Sequence, residues 1–283
     1  MTDHWRKYQG ALMWNGIPHE ASPSQGEALR ALKEQGGMFA RWTSNWDCGF
    51  QTEWWYCICD NYTPIENLTA KQRYRVNKGL RLCQIVHMQK GSETLFKAIY
   101  ELVKASFEDY PKAYRPNLHK ETFKKRFLQL LEDKNVDIWL VYSHENEDEL
   151  IGYCQCTRTE SVVWLTQVKV PTKYLNMEVN AALVYKLCSF YLKEKNYKYI
   201  CDGERNIKHV TNYQDFLVRV LNFRYAYCTL NVIYQWRMKL IINLLFPFRN
   251  IIHVVRNLHP FLYNVYCVLV QEQIRKTFNK KNT

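Results

Sequence analysis

A chain of 283 residues that is 47% hydrophobic and 15% aromatic carries ample apolar material for a large core, which excludes a disordered chain. Its net charge of +12 points toward anionic partners, and its ten cysteines include neither a CxxC pair nor a matching histidine spacing, so no metal site is expected and the thiols read as buried and reduced. Met1 to Lys7 leads into polar residues rather than the apolar run of a secretory signal, and a cytoplasmic protein is expected.

Residues 1–35 are weakly patterned apart from a short helical stretch at Glu27–Gln35, which Gly36 and Gly37 end. Aromatic and β-forming residues crowd Met38–Asp60 and predict one or two strands. Trp54, Trp55 and Tyr56 could form a sugar or base stacking platform, but consecutive aromatics on a strand divide between its two faces, so at least one side is ordinary core. Leu68–Leu80 predicts a basic helix with Lys71, Arg73, Arg75, Lys78 and Arg81 at or near it. Those side chains suit either a phosphate group or plain solvent.

From Cys83 a regular succession follows: a strand to Met88, a helix with Leu95, Ile99, Leu102, Val103 and Phe107 inward, a second helix through Phe123–Leu131, and a strand at Val136–Ser143. Leu150–Cys156 and Val162–Val170 predict a hairpin that Pro171 ends. Then come a helix over Glu178–Lys195, a strand from Tyr197, a helix over Asn212–Leu221 and a strand over Tyr225–Tyr234. Cys57 with Cys59, and Cys154 with Cys156, are each spaced to share a sheet face.

The tail from Arg237 holds eight basic residues against one acid, Glu272, between very apolar runs at Leu240–Phe248 and Ile251–Val270. Its uncharged runs read as too short or too interrupted to span a bilayer. Two readings stay open for it: a helical pair packed on the domain, or a basic amphipathic segment on an anionic membrane surface.

The densest chemistry lies at one predicted strand end, where Asp202, Glu204, Arg205, Asn206, His209 and Asn212 follow an apolar run and precede a helix. Strand, polar loop and helix N-terminus is the order that aims side chains and backbone N–H groups at a ligand. A capped turn has the same local pattern. Asp202 or Glu204 could act as base, or the carboxylate beside Arg205 could be an ion pair; His209 could shuttle a proton or be an exposed residue before a helix.

The succession from Cys83 to Tyr234 resembles the GNAT acyltransferases, a mixed α/β (α+β) fold in which an acyl thioester lies in a V-shaped opening between the fourth and fifth strands. The resemblance implies backbone oxyanion donors near Val168 and Val170, at the end of the fourth strand. It also implies a glycine-rich diphosphate cradle after Pro171, where this chain has Leu175, Glu178 and Asn180, and a general-acid tyrosine where it has Val218; Tyr213 and Tyr174 are the available substitutes. FemAB-type members also lack that glycine motif, and Lys71–Gly79 and Asp202–Gln214 are similar to segments of FemAB-like and related polysaccharide acyltransferases.

On that resemblance an aromatic N-terminal extension (1–80), a GNAT-like acyl-CoA N-acyltransferase domain (81–236) and a basic helical tail (237–283) are expected. The donor would be acyl-CoA, acetyl-CoA foremost, or an aminoacyl-tRNA. The acceptor would be a small-molecule or lipid-linked amine of a cell-envelope or polysaccharide precursor, at the inner face of the membrane. Arg73, Arg75, Lys78, Arg205, Asn206, Asn212 and Trp55 would bind substrate. The alternative is a catalytically degenerate domain that binds membrane or a partner.

Overall fold

The computed structural model describes residues 4–88, 91–108, 115–146, 149–208 and 212–281. By contact the chain divides into two units, one of 1–56, 204–211 and 225–283, the other of 57–203 and 212–224.

The first unit is built on a four-stranded sheet, β1 (Trp5–Tyr8), β2 (Ala11–Trp14), β3 (Phe39–Ser44) and β11 (Thr229–Tyr234), adjacent in that order. The weakly patterned N-terminus therefore holds two strands that its short, glycine-interrupted runs concealed. Helix α1 (Gln25–Gln35) starts on a capping box, Ser24 with Glu27, and sends Ala28, Ala31 and Leu32 into a core with Trp5, Leu12 and Trp42. The tail forms α7 (Trp236–Leu245), α8 (Arg249–Val255) and α9 (Pro260–Lys281), joined by 3-10 turns at Phe246–Phe248 and Arg256–Leu258.

The second unit carries most of a seven-stranded sheet, ordered β10-β4-β9-β8-β7-β6-β5, with β4 Trp55–Cys59, β5 Cys83–His87, β6 Val136–Ser143, β7 Leu150–Arg158, β8 Val162–Lys169, β9 Tyr199–Glu204 and β10 Arg224–Tyr227. β5 to β8 are antiparallel neighbours and β9 joins β8 in parallel. Helices α3 (Glu93–Ala105) and α4 (Lys120–Glu132) bury Phe96, Ile99, Leu102, Val103 and Phe127 against Ile138, Leu140 and Tyr153, as the 3.6-residue spacing requires. Between β8 and β9 the chain forms α5 (Val179–Cys188), which is buried around most of its circumference and continues as a π-helical turn at Ser189–Glu194. Helix α2 (Ala70–Leu82) precedes β5, and α6 (Tyr213–Leu221) follows β9.

Two expectations change here. The single strand expected over Tyr225–Tyr234 is two, β10 and β11, in different sheets, separated at Cys228, whose backbone bonds Trp54 while Thr52 Oγ1 donates to its carbonyl. And Trp236–Leu258, continuous in the fold, is a segment long and apolar enough by length and composition to cross a bilayer, though its uncharged runs taken separately are too short. All ten cysteines are free thiols, and the Sγ atoms of Cys154 and Cys156 lie 3.7 Å apart on their shared face.

Candidate functional site

In the second unit β8 and β9 pair at only three positions, Val162 with Tyr199, Val163 with Ile200 and Trp164 with Cys201. A β-bulge in β8 accompanies the parting: Gln155 opposes Gln167 and Cys156 opposes Leu165, which leaves Thr166 as an extra residue. Beyond it Gln167–Val170 and Asp202-Gly203 follow the last β8–β9 pair. Val168 still pairs with Cys154 of β7, and Val170 follows the end of β8 just before Pro171.

Asp202 is the first residue of β9 past the last pair with β8. Burial pushes its carboxyl up to about 7, opposed by a hydrogen bond from Gln214 Nε2 to Oδ2 at 3.3 Å. Gln214 also donates to the Gly203 carbonyl, and it lies on the first turn of α6. The next residue in chain order before it, Tyr213, has a buried hydroxyl with no hydrogen-bond partner among the described residues. Burial first, and then the charge of Asp202, raise its phenol well above the usual tyrosine range, so it stays protonated. Asn212 occupies the N-cap position of α6, but its side chain makes no capping bond, so the expected cap role is not met.

The start of α5 is occupied by protein. Glu178 caps it in the left-handed conformation, and its carboxylate takes Arg75 Nε at 2.8 Å and Arg75 Nη2 at 2.7 Å. Helix α2 lies so close that a Cβ on Gly79 would fall 2.5 Å from the Glu178 carbonyl oxygen and 2.7 Å from Ala182 Cβ. Asn180 contributes a buried Oδ1 with no hydrogen-bond partner among the described residues, an acceptor where a diphosphate needs donors. A coenzyme A diphosphate does not fit this helix start.

Of the basic residues expected to grip phosphate, Arg75 is thus committed to Glu178 and lies 5.0 Å from the Phe216 ring centre, and Arg73 donates to the Glu66 carbonyl. Lys78 lies on α2 beside Gly79. A cavity of about 200 Å³ opens instead among Thr69, Lys71, Gln72, Arg75, Arg219 and Val220, with three cationic residues and no acid in its lining. Lys71 and Arg219 were not singled out as ligands because they meet only when α2 packs on α6. Tyr174 donates its hydroxyl to Glu149.

The remaining candidates belong to the first unit. Glu204 is paired with Arg41, whose guanidinium also lies 5.2 Å from the Trp54 ring centre. The ion-pair reading of Glu204 is thereby the observed one, with a partner distant in sequence in place of Arg205. Arg205 pairs with Glu53 at 2.8 Å and lies 4.8 Å from the Trp55 ring centre, and Trp55 packs on Tyr225 and Tyr227. Trp54 is the core member of the aromatic pair, at 1% exposure. Asn206 accepts from the Lys208 backbone N–H. Gly203, between the two carboxylates in sequence, has φ +114°, a conformation that favours glycine. His209 lies outside the described residues. Among the described residues no group of three or more His, Cys, Asp or Glu side chains is placed to hold a metal.

β5 to β8 form four antiparallel neighbours, and β9, the fifth, joins the fourth in parallel over only three pairs, at the place where the sequence resemblance implies an opening between fourth and fifth strands. The fold is GNAT-like. No family model and no curated protein matches the sequence. Among solved structures, L-PGS from Bacillus licheniformis superposes with a TM-score of 0.49 and 13% identity, covering 82% of this chain and 79% of that one. FemX gives 0.47 and 11%, covering 71% and 66%. AAC(6')-Iy, in complex with the bisubstrate analogue CoA-S-monomethyl-acetylneamine, gives 0.38 and 12%, covering 54% of this chain and 96% of that one. The assignment of the GNAT-like fold rests on the strand pairing of the chain itself.

Proposed function

We propose that the protein transfers an acyl group, in the form of an aminoacyl ester carried on RNA, to the amine of a cell-envelope or polysaccharide precursor. The observation that carries this reading is Asp202, a carboxyl brought to about 7 by burial at the point where β8 and β9 stop pairing. A base of that strength is half-ionised near neutral pH and suits removal of a proton from an attacking ammonium or amine. The amine nitrogen attacks the ester carbonyl, the backbone near Val168 and Val170 supplies N–H donors to the oxyanion, and the C–N bond forms as the bond to the ribose oxygen breaks. Asp202 takes the amine proton. The Tyr213 phenol, protonated and without another partner among the described residues, donates to the departing ribose oxygen and recovers its proton from Asp202.

The blocked start of α5 favours such a donor over coenzyme A, and the cationic cavity of Lys71, Arg75 and Arg219 suits a phosphodiester. Transfer should rise with pH through about 7 in the native protein. In Asp202→Asn it should fall by roughly 100-fold or more, within the usual range for a lost general base, and lose that pH dependence. An Asp202→Asn variant with native turnover removes Asp202 from the mechanism.

A degenerate binding domain is the second reading. It is favoured by Val218 in the tyrosine position and by the commitment of Glu204 and Arg205 to ion pairs. It requires that no acyl donor bind at all.

A further inference from the structure

We infer that the α7–α8 face of the first unit docks on the surface of an anionic phospholipid bilayer and lies in its interface without crossing it. This inference is independent of the transferase reading.

From Trp236 to Phe261 the chain presents nine large apolar side chains to solvent: Trp236, Leu240, Ile241, Leu244, Phe248, Ile251, Val254, Leu258 and Phe261, each at least 50% exposed. Solitary exposed apolar residues are ordinary on a protein surface, but a continuous row along consecutive helical segments is an interaction surface. The row is held in place from behind. Ile242 and Ile252 are buried with Leu269 of α9, and Met238, Leu245, Phe246, Val265 and Tyr266 pack against them. The helices are therefore already seated through their inner face, and the exposed row is the remainder.

Charge selects the occupant. Between Trp236 and Gln271 the sequence has Arg237, Lys239, Arg249 and Arg256 and no Asp or Glu. A second copy docking face to face would bring four cations against the same four. An anionic headgroup layer would meet them with opposite charge while the acyl region receives the apolar row. The exposed indole of Trp236 at one end suits the interfacial zone.

A spanning arrangement is disfavoured by the same packing. Trp236–Leu258 has the length to cross, but Ile242 and Ile252 would have to leave the core they share with Leu269. The 3-10 turn at Phe246–Phe248, with Pro247 in it, also interrupts the regular helix.

The test is flotation of the full-length protein with vesicles of phosphatidylcholine alone and of phosphatidylcholine with phosphatidylglycerol. Binding to the anionic vesicles, weakened by salt, is expected. Leu244→Glu with Val254→Glu, both on the outer face, should reduce it by at least about tenfold, and so should Arg237→Glu with Lys239→Glu. Circular dichroism and thermal unfolding of each variant exclude loss of fold, and Leu244→Ser with Val254→Ser serves if the glutamates unfold the protein. Absence of binding to anionic vesicles, or binding that the outer-face variants leave intact, overturns the inference. A self-association that those variants abolish, with no vesicle binding, assigns the face to a second copy and overturns it too. Protein that survives alkaline carbonate extraction in the membrane would show a spanning helix, again against it.

Discussion

At Asp202 the chemistry depends on surroundings that a linear sequence does not display. Strand alternation and the polar loop made it a candidate, but its elevated pKa comes from burial in the folded unit, and its hydrogen-bond partner, Gln214, is twelve residues on. The same elevation makes a stability prediction. The folded value, about 7, lies above the ordinary 3.8, so the folded state binds the proton more tightly. Stability must fall as pH rises from about 4 to about 7 and then level off. The difference between 3.8 and about 7 corresponds to at most roughly 4 kcal/mol. Urea unfolding at pH 5 and pH 8 should show Asp202→Asn gaining on the native protein at the higher pH; equal changes at both would contradict the elevated value.

Tyr213 gives the complementary case. A buried hydroxyl without a partner destabilises a fold by roughly 1–3 kcal/mol. Tyr213→Phe should therefore be more stable than the native protein and slower in transfer. A variant that is less stable would show that the hydroxyl is bonded in the folded state. Glu204 was equally visible in the sequence, and its bond to Arg41 was not, because the two residues meet only through folding across a long stretch of chain.

Among the elements, α3 and α4 were legible because each has one buried face with a 3.6-residue period, and β6 and β7 as runs buried on both faces. β1 and β2 were not, being four residues each, and neither was the division of Tyr225–Tyr234, since an apolar run has the same pattern whether it serves one sheet or two. The absent glycine motif was legible as a departure after Pro171. Its reason lay in α2, whose Gly79 permits backbone contact with Glu178. An alanine there would gain helix propensity of about 1 kcal/mol and lose more to overlap with backbone. Gly79→Ala should thus be destabilised by roughly 1–3 kcal/mol in thermal or urea unfolding, whereas stabilisation would mean that α2 does not approach α5 so closely.

For the whole molecule, +7 of the net charge of +12 lies from Arg237 onward, where cations flank an exposed apolar row, and the cavity lined by Lys71, Arg75 and Arg219 gathers three further cations, Arg75 among them paired with Glu178. Composition announced the sum, and packing distributes it. The central claim is that this GNAT-like domain accepts an acyl donor that needs no diphosphate cradle at α5. Equilibrium binding of the full-length protein to an amide-linked, non-hydrolysable aminoacyl-tRNA, to the same tRNA uncharged and to acetyl-coenzyme A tests it most directly. The account predicts binding of the aminoacylated RNA in preference to the uncharged one and no saturable binding of acetyl-coenzyme A; tight binding of acetyl-coenzyme A, or no donor bound at all, would contradict it.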